Sequence, residues 1–127
     1  VSSINYVKNG IAGMLENVPR EKLIGGVPFY TRLWTEAGDG TITSKAMGIA
    51  EEKRWVDNNQ VELTWQADTA QYYGEVQTSD GAQFLWMEEE RSLKEKMNVI
   101  RQNDLAGVAC WKLGFEDSAA WDSIQWN

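Results

Sequence analysis

A chain of 127 residues and 14.4 kDa, 43% hydrophobic, has enough apolar material for one ordinary domain. Its 12 basic and 19 acidic residues leave a net charge of -7, without the clustered Lys and Arg that phosphate binding needs, so neither nucleic acid nor an anionic membrane is an expected partner. With no His and one Cys, imidazole triads, the usual zinc ligand sets and an internal disulfide are excluded, and no cofactor or metal is expected.

The opening stretch, Ser2–Val18, places Ile4, Val7, Ile11, Met14 or Leu15, and Val18 at three- and four-residue spacing, which predicts a helix ended by Pro19. The nearly continuous apolar run Leu23–Tyr30 predicts a strand covered on both faces, as in a parallel sheet. Thr35–Gly40, rich in small and polar residues, reads as a flexible linker. Ser44–Asn58 predicts a helix with Ala46, Met47, Ile49, Ala50 and Trp55 or Val56 inward. Strands are expected over Glu62–Asp68, Tyr72–Gln77 and Gln83–Glu88, the last two joined by a hairpin at Asp80-Gly81. Ser92 can cap a helix carrying Leu93, Met97, Ile100 and Leu105, followed by the apolar strand Gly107–Leu113 and an amphipathic turn through Trp121 and Ile124.

Two helix–strand units thus flank a small α+β insertion, an α/β plus α+β organisation. Two parallel strands cannot cover their own faces, so further strands are expected, from a second copy or from upstream. The longest apolar runs, such as Gly107–Trp111, fall far short of the roughly 18 residues of a membrane span. The first residue is not Met and no basic-then-apolar leader is present, so the chain is expected to begin partway through a longer product.

Seven Trp residues invite a binding reading. Trp55, Trp121 and Trp126 lie on helical faces and are expected in the core. Trp34 and Trp111 lie near the C-terminal ends of the parallel strands, where α/β folds gather ligands, and an indole there can stack on a sugar ring. Tyr30 and Arg32 occupy alternate positions, leave the same face, and can hold hydroxyl and carbonyl oxygens of a polar ligand. A structural ion pair of Arg32 with Glu36 or Glu116 is the plainer alternative. Glu88-Glu89-Glu90-Arg91 is read as a solvated cap before a helix. Gly25-Gly26 and Gly38-Asp39-Gly40 match no phosphate loop. Glu116-Asp117 is read as a ligand contact or as the cap of the last helix, and Cys110 as a buried, inert thiol.

Three segments carry a family resemblance. Lys22-Leu-Ile-Gly-Gly-Val-Pro-Phe-Tyr-Thr-Arg-Leu-Trp34 resembles strand seven of the family 18 glycoside hydrolases, with Thr31 where that family has Gly. Gly107-Val-Ala-Cys-Trp-Lys-Leu-Gly-Phe-Glu-Asp117 resembles strand eight, and Phe84-Leu-Trp-Met-Glu-Glu-Glu-Arg-Ser-Leu-Lys94 resembles the motif closing the insertion domain of the chitinase-like and spore-wall branches.

The resemblance implies the last two helix–strand units of a (β/α)8 TIM barrel, itself about 250 residues, with units at 1–38 and 91–127 around an insertion domain at 39–90. It implies cleavage of β-1,4 bonds in N-acetylglucosamine polymers, chitin or peptidoglycan, with retention assisted by the substrate's acetamide. It makes Trp111 the floor under the reacting sugar and sets Tyr30 and Arg32 in the cleft wall; Trp34 and Glu116, from their place after the strands, are further candidate contacts. The family's strand-four run Asp-x-x-Asp-x-Asp-x-Glu and its strand-six Tyr-Asp pair do not occur in the sequence. An inactive, self-associating C-terminal fragment of a secreted or wall- or spore-associated enzyme is therefore expected. A non-catalytic chitinase-like carbohydrate-binding module is the alternative.

Overall fold

A computed structural model describes residues 1–126. Helix α1 (Ile4–Leu15) opens at Ser3, whose hydroxyl accepts from the Tyr6 N–H. Strand β1 (Ile24–Pro28) runs parallel to β7 (Gly107–Trp111), with Val27 opposite Cys110 and Pro28 opposite Trp111. Helices α3 (Glu90–Gln102) and α4 (Ser118–Ser123) complete this part. Its core joins Ile4 and Ile11 of α1 to Val27 and Phe29, and to Leu93, Met97 and Ile100 of α3.

Between β1 and α3 lies an antiparallel sheet of order β3-β2-β6-β5-β4, built from β2 (Tyr30–Glu36), β3 (Ile42–Gly48), β4 (Thr64–Gln66), β5 (Gln71–Thr78) and β6 (Gly81–Trp86). Helix α2 (Ile49–Asn58) covers one face, where Trp55 and Val56 meet Leu33, Met47, Leu85 and Met87. The β5–β6 hairpin falls in the expected Thr78–Gly81 stretch, turning through Ser79 and Asp80 with Thr78 opposite Gly81, which takes a φ of +126°.

Three sequence expectations are corrected. The apolar run Leu23–Tyr30 is not one strand. The Phe29 N–H donates to Trp111 O at 2.7 Å, and from Tyr30 the chain alternates, with Thr31 and Leu33 buried and Arg32 and Trp34 half-buried. That period belongs to a sheet whose two faces differ, so the chain passes straight from one sheet into the other. Thr35–Gly40 is accordingly no linker but the end of β2 and the β2–β3 turn, closed by Ala37 N–H to Thr41 O at 2.9 Å. The expected helix Ser44–Asn58 divides into the end of β3 and α2, because Ala46 and Met47 point to opposite faces, exposed and buried.

The indoles also differ from expectation. Trp121 and Trp126 are 42% and 48% exposed. Helix α4 has only six residues and turns Ala120 and Ser123 inward, so Trp121 meets Phe29 by an edge, with ring centroids 5.4 Å apart.

Gly48 precedes α2 at a close backbone crossing. A Cβ there would lie 2.9 Å from Phe115 O, and the Ile49 N–H donates to that same oxygen at 2.7 Å. Backbone cannot yield as a side chain can, so Gly48→Ala is expected to cost about 1–3 kcal/mol. A denaturant midpoint unchanged by the substitution would contradict this.

Candidate functional site

The two parallel strands end together, and the segments beyond their C-terminal ends form two neighbouring openings. Trp111 closes β7 with 67% of its surface exposed. The Trp111–Lys112 peptide bond is cis. Trp111 shares an open cavity of about 360 Å³ with Tyr30, Pro28, Cys110 and Tyr6. The Tyr30 ring lies 6.2 Å from that of Phe115, and Lys112 Nζ sits 4.7 Å from the centre of the same Phe115 ring. Cys110 is half-buried rather than buried, because β7 has a partner on one side only among the described residues. Burial and the Glu116 carboxylate push its thiol up, so it stays protonated and a poor nucleophile.

The second opening, about 350 Å³, is lined by Arg32, Trp34, Trp86, Thr31 and Gln71. Arg32 is anchored on Ser44, its Nε donating to Oγ at 2.9 Å and its Nη2 to the carbonyl at 3.2 Å. The alternative pairing with Glu36 or Glu116 does not occur among the described residues. Tyr30 and Arg32 leave one face as expected, yet they line adjoining cavities rather than one spot; Val1 and Ser2 border both. Glu116 lines neither. It accepts from the Gly114 N–H at 2.7 Å and so closes the turn after β7. Asp117 caps α4 through the Ala120 N–H at 3.0 Å.

Lys53 of α2 donates to Glu90 Oε1 and Asp117 Oδ2, both at 2.6 Å, tying the sheet's helix to α3 and α4. Burial favours a neutral Asp117, but the Lys53 bond and the Ala120 N–H outweigh it and hold this carboxyl below its ordinary range.

The acidic run is not a solvated cap. Glu89 is the N-cap of α3, accepting from the Ser92 N–H at 2.8 Å, with Ser92 Oγ accepting in return from the Glu89 N–H at 3.0 Å. Ser92 is therefore the third residue of the helix, not its cap. Glu88 is fully buried, pairs with the equally buried Lys96, and accepts from Gln71 Nε2 at 2.6 Å and Ser92 Oγ at 3.0 Å. Gln71 lines the Arg32 opening, so this buried pair orients part of its wall.

Glu52 of α2 is 0% exposed, and neither carboxylate oxygen has a hydrogen-bond partner among the described residues. Burial, reinforced by Glu88, raises its pKa well above the ordinary value. The unfolded chain then releases this proton first, so stability falls as pH rises from about 4.5 towards the folded value, by up to about 1.4 kcal/mol per pH unit. Glu52→Gln is expected to flatten this slope, stabilising the protein more at pH 7 than at pH 4. Parallel pH profiles of the urea midpoint for the two proteins would rule it out.

The chain as a whole has counterparts among known proteins. The family model described as "Glycosyl hydrolases family 18" matches residues 3–116. The chain belongs to this family. A cortical fragment-lytic enzyme of Bacillus subtilis (strain 168) is 26% identical to this family 18 chain over 123 residues, covering 95% of the chain and 28% of that enzyme. The crystal structure of a chitinase from Chromobacterium violaceum ATCC 12472 superimposes with a TM-score of 0.88 at 21% identity, over 98% of this chain and 38% of that one. The spore cortex-lytic enzyme of Bacillus megaterium QM B1551 superimposes at 0.87 with 24% identity, over 98% and 29%. The family 18 chain thus spans about 28–38% of the length of these relatives.

Proposed function

We propose that these residues form the last two helix–strand units of a family 18 barrel, with the antiparallel sheet inserted between strands seven and eight. The parent protein hydrolyses β-1,4 bonds of N-acetylglucosamine polymers, chitin or peptidoglycan, at the cell wall, the spore or outside the cell. The observation that carries this reading is the exposed indole of Trp111 at the C-terminal end of β7, beside Tyr30, where a barrel gathers its substrate. Trp111 supplies the floor of the reacting subsite, Tyr30 its wall, and Arg32 with Trp34 the adjoining subsite. Glu116 acts by holding the turn after Trp111. The insertion is best divided from the first barrel unit at residue 30 rather than 38, since among the described residues β2 pairs only within the antiparallel sheet. Substrate-assisted retention places the attacking oxygen on the sugar, and the proton donor belongs to the run Asp-x-x-Asp-x-Asp-x-Glu, which these 127 residues do not contain.

The test compares the full-length protein with residues 1–127 alone. The full-length protein is expected to release reducing ends from chitin or peptidoglycan fragments. The isolated chain is expected to release none, and to sediment above its monomer mass because the outer edges of β1 and β7 are unpaired among the described residues. Turnover by the repurified isolated chain, or none by the full-length protein, would overturn the reading.

A further inference from the structure

We propose that Gln71 determines specificity at the Arg32 opening: its Oε1 accepts the N–H of an acetamido group on a sugar ring bound there, while Arg32 donates to the carbonyl of that group. This rests on the hydrolase reading above. Strands β2, β6 and β5 lie side by side, with Trp34 opposite Phe84 and Tyr73 opposite Trp86. Side chains alternate along a strand, so Gln71 leaves the face that bears Trp86, Trp34 and Arg32, while Leu33, Leu85 and Tyr72 turn to α2. Gln71 is buried, and its Nε2 donates to Glu88 Oε1 at 2.6 Å. The Glu88 carboxylate, paired with Lys96, can only accept, so the amide nitrogen is fixed towards it and the amide oxygen away from it.

Most polar side-chain atoms around this opening are already engaged. Trp86 Nε1 donates to Gln66 Oε1 at 2.9 Å, Thr31 Oγ1 to Trp86 O, and Thr69 Oγ1 to Gln66 O at 3.3 Å. Arg32 gives Nε and Nη2 to Ser44, which leaves Nη1 without a partner among the described residues. No described residue donates to Gln71 Oε1. Among the described residues the two Glu52 oxygens are the only sealed side-chain polar atoms left unbonded, so Gln71 Oε1 is open to the cavity that Gln71 lines. No Asp or Glu lines this cavity, and apart from hydroxyls its other polar side chains only donate.

An uncharged acceptor facing a free guanidinium N–H suits a group that carries one N–H and one C=O. Arg32 on β2 and Gln71 on β5 stand two strand spacings apart, roughly 10 Å, with β6 between them. They therefore address opposite sides of a ligand group, as the N–H and C=O of a trans amide require. An ammonium at the same place would be repelled by Arg32, and a lone hydroxyl would leave one of the two partners unmatched.

The experiment measures kcat/KM of the full-length protein on the β-1,4-linked N-acetylglucosamine tetramer and on analogues in which one ring at a time, the reacting ring excepted, carries an acetoxy in place of its acetamido group. The exchange keeps the carbonyl for Arg32 and removes the N–H. In the unsubstituted protein one analogue is expected to lose roughly tenfold against the tetramer, about 1.4 kcal/mol. In Gln71→Met the tetramer itself is expected to lose a similar factor through KM with kcat held, and that analogue to lose nothing further. Each ratio compares two substrates of one protein, so a stability lowered by the missing bond to Glu88 does not enter it. Analogues all cleaved as fast as the tetramer by the unsubstituted protein, or a loss that persists in Gln71→Met, overturn the role of Gln71 and leave the hydrolase reading standing. No turnover of the tetramer by the unsubstituted protein overturns both.

Discussion

Lys96→Met is expected to destabilise the protein by about 3–5 kcal/mol, a large share of the roughly 5–15 kcal/mol that holds a domain of this size together. Lys96 is 1% exposed, and its ammonium meets a Glu88 carboxylate that is itself fully buried. Removing the cation leaves Glu88 with two neutral donors, Gln71 Nε2 and Ser92 Oγ, and the Val1 ammonium at 4.0 Å, in a site that already holds Glu52, whose carboxylate oxygens have no hydrogen-bond partner among the described residues. The double variant Glu88→Gln with Lys96→Met keeps an acceptor for Gln71 and Ser92 while removing both charges, and is expected to recover more than half of the loss. Urea midpoints of the two variants and their parent decide the matter, and a single variant within about 1 kcal/mol of the parent would refute it.

The same pair shows where the sequence stops being readable. Three consecutive Glu residues before a helix look like solvated capping, and Glu89 does cap α3. The signal against solvation was Lys96, which shares the stripe of Leu93, Met97 and Ile100 and therefore had to enter the core with a partner. Glu52 offered no such signal, because its burial depends on where α2 lands on the sheet.

The terminal units were legible because their apolar periods are long and unambiguous, as in α1, α3 and β7. β3 was not. In Ser44–Met47 the short run of small and polar residues fits a helix or a strand equally, and only pairing with β2 selects the strand. The change of sheet at Phe29–Tyr30 was hidden inside one apolar run, since Phe29, the bend between the two strands, and Tyr30, the first antiparallel residue, are both aromatic. Within the candidate site, Trp111, Tyr30, Arg32 and Trp34 could be named from their place after a strand. Trp86 and Gln71 could not, because β5 and β6 reach the cleft only through sheet register, and register is a tertiary fact.

The exposed indole at the end of β7 carries the largest functional expectation. In the full-length protein Trp111→Ala is expected to lower kcat/KM on N-acetylglucosamine oligomers at least about 100-fold, about 2.7 kcal/mol of transition-state stabilisation. On the proposed reading two losses would combine: the ring that a bound sugar desolvates would be gone, and the sugar would no longer be held at the height where its acetamide could attack. Because Trp111 is 67% exposed, its truncation removes little packing, and the unfolding midpoint should move far less than the rate. Trp126→Ala is the matched control, an indole 48% exposed that lines neither opening, and is expected to leave kcat/KM unaltered. A Trp111→Ala protein within about threefold of its parent would mean that the polymer is not held on this indole. The cleft would then have to be sought on the Arg32 and Trp34 side alone.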